Sequence, residues 1–142
     1  MKKSIKRVLI DKINKSEWWH VSPRDPNAYS KRGKFLASTY QQAEFYGRPN
    51  DIPEKVRISN PVYGFSEIEI LKKLFQNKGR FFLEDLENAE NSYQKRIDLD
   101  AKMFKRAKSL AYDAIVLMTL TGRKDLEGNR KPRSIELNLL HA

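Results

Sequence analysis

Gly33-Lys34-Phe35-Leu36-Ala37-Ser38-Thr39-Tyr40-Gln41-Gln42-Ala43-Glu44-Phe45-Tyr46, followed at once by Gly47, changes its period in the middle. Lys34 to Ala37 is a short apolar run suited to a buried strand. Beyond it, Tyr40, Ala43 and Tyr46/Gly47 recur at helical spacing, so the switch falls near Ser38. A hydroxyl at Ser38 or Thr39 can accept from an amide of the first turn that otherwise has no partner. The stretch therefore predicts a strand that breaks into a short helix ending on an aromatic residue. Alone, that is first an ordinary βα turn, and only second a floor for a flat ligand.

Outward from this centre, residues 3–14 place Ile5, Val8, Leu9 and Ile13 on one helical face, although Arg7 to Ile10 also reads as a strand. Trp18-Trp19-His20-Val21 predicts a strand, and the turn-rich Ser22 to Arg32 a loop that Gly33 closes. Lys55 to Ser59 alternates polar and apolar as a half-buried strand does, and Asn60-Pro61 stops it. Ser66-Glu67-Ile68-Glu69 is a capping box opening a helix with Ile68, Leu71, Leu74 and Phe75 on one face, which Gly79 closes. Residues 81–110 read as helical with a break near Asn88 to Ser92. Asp113 to Met118 reads as a central strand, Thr121 to Arg133 as a polar loop, and Ile135 to Leu140 as the closing strand.

Composition narrows the classes of function. A length of 142 residues with 39% hydrophobic residues suits one domain with one core. No apolar run is long enough to span a membrane. Lys6, Arg7, Asp11 and Lys12 interrupt what would be the apolar part of a signal peptide, so a cytoplasmic, intracellular location is expected. With no cysteine and only His20 and His141 as histidines, thiol chemistry is excluded and a His-rich metal site disfavoured, so no metal is expected. The net charge of +10 is uneven: residues 1–16 carry six basic and one acidic side chain, and residues 101–142 nine and four. That excess suits an anionic partner, whether nucleic acid, a dinucleotide or an acidic protein surface, and suits equally a merely soluble surface.

His20-Val21-Ser22, then Gly33-Lys34-Phe35-Leu36-Ala37, then Tyr46, and finally Glu136 opening a late strand, occur in an order that resembles the ADP-ribosyltransferase superfamily. The branch it resembles is the one shared by diphtheria-type toxins and poly(ADP-ribose) polymerases, with its His, Tyr and Glu. The resemblance implies an α+β fold, a split β-sandwich of mostly antiparallel strands flanked by helices, with NAD as substrate in the cleft. Residues 1–142 would form the single domain, with a basic helix over 1–16 and a helical insertion over 65–111. Standalone domains of this size in the superfamily include toxins and bacteriophage effectors.

By the same resemblance Glu136 is catalytic, holding the 2′-hydroxyl of the nicotinamide ribose as positive charge develops there. A carboxylate answers that charge for the reason glycosidases use one. His20 would contact the adenosine-side ribose, the Val21 backbone the nicotinamide amide, and Tyr46 the cationic ring, with Ser22, Phe35 and Ala37 completing the NAD site. Val21 stands where most members have Gly, Phe35 where many have a second Tyr, and Ala43 where some have Ser. The resemblance requires His20, Tyr46 and Glu136 to line one cavity. A second branch, with Arg, Ser-Thr-Ser and Glu, would draw on Arg7 and Ala37-Ser38-Thr39-Tyr40 but leaves His20 without a role.

The function implied is mono-ADP-ribosylation of an intracellular macromolecule. The alternatives are a non-enzymatic basic module that binds nucleic acid or protein, and an NAD glycohydrolase. Arg123, Lys124, Arg130, Lys131 and Arg133 lie in the stretch before Glu136 and are expected either to dock an acidic or phosphate-bearing acceptor or, equally, to form a solvated hairpin whose charges only confer solubility.

Overall fold

The computed structural model describes residues 4–88, 90–128, 130 and 134–141. In chain order they form α1 (Ile5–Lys15), β1 (Glu17–His20), α2 (Ala28–Arg32), β2 (Lys34–Ala37), α3 (Tyr40–Ala43) with a 3-10 turn at Glu44–Tyr46, β3 (Glu54–Lys55), β4 (Pro61–Gly64) and α4 (Glu67–Phe75). Then follow α5 (Gly79–Asn88), α6 (Ser92–Ser109), β5 (Ala114–Met118), α7 (Leu120–Glu127) and β6 (Ile135–Leu139).

The architecture is α+β around a mixed sheet in the order β3-β1-β2-β6-β5-β4. Its pairs are antiparallel except β4 with β5, which run parallel. A parallel pair needs a long crossover, and the helices α4, α5 and α6 supply it, so the 65–111 segment is the connection between these two strands. Where the resemblance implies two packed sheets, the pairing joins all six strands in one series. β1 is shared along its length: Glu17 and Trp18 pair with β3, and Trp19 and His20 with β2.

Strand alternation divides the core in two. Ala114, Val116 and Met118 of β5 and Ile135 and Leu137 of β6 join Leu9 and Ile13 of α1, Trp18 and Leu126 on one face. Ile115 of β5 meets Ile70, Leu71 and Leu74 of α4 and Leu99, Met103, Phe104 and Ala107 of α6 on the other. The second face also holds Glu136 and Asn138, because these alternate with Ile135 and Leu137 along β6.

Four segments differ from the sequence reading, each for a local reason. The expected loop 22–32 ends in helix α2, to which Asp25 leads by accepting from the Asn27 amide at 2.9 Å. Val56 and Ile58 are buried and Arg57 and Ser59 exposed, as the alternation requires, yet strand pairing stops at Lys55. Side chains satisfy that backbone instead: Asn14 bonds both the N–H and the C=O of Ile58, at 2.8 and 2.9 Å, while Asp113 accepts from the amides of Ser59 and Asn60. Pro61 opens β4 rather than ending a strand, a position that needs no N–H from it. Residues 120–127 of the expected polar loop are helix α7, capped by Thr119 accepting from the Gly122 amide.

Gly79, expected to close α4, instead opens α5, where a Cβ would lie 2.7 Å from the backbone carbon of Leu71. Gln76, at φ 57°, ends α4. The Ser66 cap forms, its hydroxyl accepting from Glu69 N–H, while Glu69 accepts from the Phe65 amide.

Candidate functional site

Glu136 sits one residue into β6, flanked by Ala37 of β2 and Leu117 of β5. Ser38 fixes this end of the strand by accepting from Ile135 N–H at 3.2 Å and donating to the Gln42 side chain at 2.8 Å. Thr39 caps α3 by accepting from Gln42 N–H. The same βα junction thus holds Glu136 on one side and carries Tyr46 on the other. The Tyr46 hydroxyl donates to Glu136 Oε1 at 3.3 Å, across 90 residues of chain.

Tyr46 and Glu136 line a cavity of about 220 Å³ together with Phe35, Glu67, Arg96 and Asp100, over an apolar wall that includes Ile115 and Met103. Burial raises the Glu136 pKa above the ordinary carboxylate range, and the nearby Asp100 charge adds to it. Burial likewise raises Asp100, against the pull of Arg96. Burial and the Glu136 charge push the Tyr46 hydroxyl up to about 12, so it keeps its proton and remains a donor at neutral pH.

Arg96 is held on two sides. Its Nη1 donates to both oxygens of Glu67, at 2.7 and 2.8 Å, and its Nε and Nη2 both donate to Asp100 Oδ1. Burial disfavours its charge, but the carboxylates of Glu67 and Asp100 outweigh that and raise its pKa. With Glu136 ionised, three carboxylates face one cation, so the cavity carries net negative charge inside a protein of net charge +10. The sequence reading missed this cluster. Its signal was a polar pair, Arg96 and Asp100, four residues apart beside the buried Leu99 and Met103 of α6.

His20 is placed elsewhere. It is 4% exposed and lines a second cavity, of about 100 Å³, with Val21, Tyr29, Arg32, Gly33 and Phe35. The requirement that His20, Tyr46 and Glu136 share one cavity is therefore not met, which counts against the resemblance: only Tyr46 and Glu136 lie together, and Phe35 is the wall common to both cavities. Both ring nitrogens of His20 have partners. The Phe35 carbonyl can only accept, so Nδ1 carries the proton and donates to it at 2.7 Å; Nε2 accepts from the Tyr29 hydroxyl at 2.8 Å. A ribose hydroxyl reaches this imidazole only by displacing Tyr29.

Of the remaining expected residues, exposed Ser22 donates to Asn50 and buried Ala37 packs in the sheet; neither lines either cavity. Arg7 is exposed on α1 and lines neither, so the second branch finds no Arg there. Arg123 pairs with Glu127 at 3.0 Å, and Arg130 with buried Asp125 at 3.5 Å, so these two brace their own segment. Lys124 is exposed; Lys131 and Arg133 lie outside the described residues.

Among the described residues no group of three or more His, Cys, Asp or Glu has the arrangement to hold a metal ion, and no helix is long and apolar enough to cross a membrane. Comparison with protein-family models, with characterised protein sequences and with solved structures finds no match to this chain.

Proposed function

We propose that the protein is an NAD-dependent mono-ADP-ribosyltransferase whose catalytic carboxylate is Glu136. The observation that carries this reading is the Tyr46–Glu136 contact at an acidic cavity that both residues line, with Tyr46 itself 64% exposed. A nicotinamide ring is cationic until its bond to ribose breaks, and the ribose becomes cationic as it breaks. Negative charge and the faces of Tyr46 and Phe35 suit both stages.

The two adjoining cavities suit a ligand with two ends. Each has room for a ring rather than a whole dinucleotide, so a ligand using both must cross at Phe35. The acidic cavity fits the cationic nicotinamide end. The second cavity, with Arg32, fits the adenosine side and its phosphates; Val21 lines this cavity and not the acidic one, so the expected contact of its backbone with the nicotinamide amide has no place in this arrangement. The finer fold assignment, an ADP-ribosyltransferase-like split sandwich, belongs to the same proposal. The hand-over of β1 from β3 to β2 marks where such a split would fall.

In this mechanism Glu136 holds the 2′-hydroxyl of the nicotinamide ribose and offsets the charge that grows on the sugar. The bond from C1′ to nicotinamide breaks, the electron pair leaves on the ring nitrogen, and the acceptor adds at C1′. Tyr46 holds one oxygen of Glu136, leaving the other for the ribose. The acceptor is a macromolecule, and the protein's net positive charge favours an acidic protein or a nucleic acid.

Removing the stacking ring tests the cavity. Tyr46→Ala is expected to weaken NAD binding about tenfold, matching ~1–2 kcal/mol for a ring beside a desolvated cation. Tyr46→Phe keeps the ring, so it retains most of the affinity and loses turnover as Glu136 becomes less firmly held. Titration calorimetry with NAD measures the first effect, and nicotinamide release the second. Equal affinity in wild type and Tyr46→Ala would remove Tyr46 from the site.

A further inference from the structure

Two carboxylates in the larger cavity each keep an oxygen to spare. Tyr46 takes only Oε1 of Glu136. On Asp100, both Arg96 donors converge on Oδ1, so Oδ2 accepts no hydrogen bond among the described residues. Asp100 is half-buried on α6 and lines the same cavity as Glu136. The guanidinium fixes where Asp100 points, because it is itself anchored on α4 through both oxygens of Glu67. Such a clamp on one oxygen positions the other, and nothing in packing alone requires a carboxylate there.

We propose that Asp100 is a second catalytic carboxylate, accepting the proton of the incoming nucleophile on Oδ2 while Glu136 serves the ribose, with Arg96 as its positioning residue. This rests on the ADP-ribosyltransferase reading and adds to it a division of labour between two acids. An O–H or N–H acceptor forms its bond to C1′, and the C1′–nicotinamide bond breaks with its electron pair on the ring nitrogen. The acceptor's proton passes to Asp100 and later to solvent.

A base must be ionised yet basic. The charged and titratable groups facing Asp100 are Arg96 on its own helix, Glu67 on α4, Arg32 on α2, Glu136 on β6 and Tyr46. Burial, with the Glu67 charge adding to it, makes Asp100 more basic and prevails over the pull of Arg96 and Arg32 towards the anion. The Asp100 charge in turn raises Glu136.

Chemical rescue distinguishes a base from a structural residue. Azide is an anionic nucleophile with no proton to surrender, so its attack on C1′ needs no base. Nicotinamide release from NAD by Asp100→Asn is expected to fall about 100-fold or more in water. Added azide is expected to recover most of that loss, giving the azido-ADP-ribose product, and to give no recovery in Glu136→Gln.

An equal deficit with and without azide, or an unchanged rate in water, overturns the role of Asp100. Asp100→Ser serves as the second variant should the first fail to fold. The wild type provides a test that needs no substitution: transfer to water should slow in heavy water, while transfer to azide should not. Equal isotope effects overturn the proposal. A wild type that releases no nicotinamide at all refutes instead the transferase reading on which it rests.

Discussion

Glu136→Gln is expected to lower ADP-ribose transfer roughly 100- to 1000-fold, while leaving NAD affinity within a few-fold and raising thermal stability at neutral pH. The amide keeps the shape of the side chain and its contact with Tyr46 but loses the charge that opposes the growing cation. One preorganised electrostatic contact of this type contributes ~3–4 kcal/mol to the transition state. The stability change has the opposite sign and comes from the same burial. A carboxyl whose pKa is raised on folding stabilises the fold while protonated, and that contribution is lost as pH rises through its folded value. At neutral pH the ionised Glu136 therefore opposes folding, and Gln removes the opposition. Below the ordinary carboxylate range the melting difference should vanish. The wild-type rate should in turn climb with pH as Glu136 ionises, with its midpoint above the ordinary carboxylate value. A neutral-pH variant less stable than wild type would contradict this account of the site.

Gly33→Ala is expected to destabilise the protein by ~2–6 kcal/mol and to disturb both cavities. Gly33 has φ 86° and ψ −171°, an essentially glycine-only conformation that costs an L residue about 1–3 kcal/mol. The space is closed as well: a Cβ would lie 2.2 Å from Asn138 Oδ1 and 2.8 Å from the Leu139 carbonyl oxygen. Overpacking of this kind adds about 1–3 kcal/mol, and here one obstacle is backbone that cannot swing aside. Asn138 has little room to yield, since it is 4% exposed and its Nδ2 donates to the Arg32 carbonyl at 2.9 Å. Gly33 and Arg32 belong to the second cavity and Asn138 to the first, so displacing β6 from β2 moves the walls of both. Urea denaturation gives the energy. A Gly33→Ala protein within 1 kcal/mol of wild type would mean that the β2–β6 junction is looser than its geometry.

How much of this was legible depended on whether the signal was local. The strand Lys34–Ala37, a cap at Ser38 or Thr39 and the short helix to Tyr46 followed from period and capping chemistry within one stretch; the structure has them, with Thr39 as the cap. The closing strand, expected over Ile135 to Leu140, forms over Ile135–Leu139 with Glu136 and Asn138 alternating between apolar residues. Residues 56–59 carried the alternation of a strand, but their backbone partners are Asn14 and Asp113, which no local pattern discloses. Helix α7 was hidden because its residues are polar with a glycine inside, and its stability comes from the Thr119 cap and buried Leu126 and Asp125.

The site divides the same way. Order along the chain brought Tyr46 and Glu136 together in advance. It misjudged His20, whose partners Tyr29 and Phe35 depend on the packing of α2 against the sheet. It passed over Arg96 and Asp100, because a salt-bridged pair on a helix looks like any solvated face until the cavity beside it is seen.

If Glu136 drives transfer of ADP-ribose from NAD, incubating the purified protein with NAD labelled in its adenylate half, with and without a cell lysate, alongside Glu136→Gln will show it. Labelled macromolecule and released nicotinamide are expected for the wild type, both lost in the variant. Free ADP-ribose with no labelled macromolecule would make the protein a glycohydrolase. Intact NAD in every tube would contradict the account and leave a basic binding module.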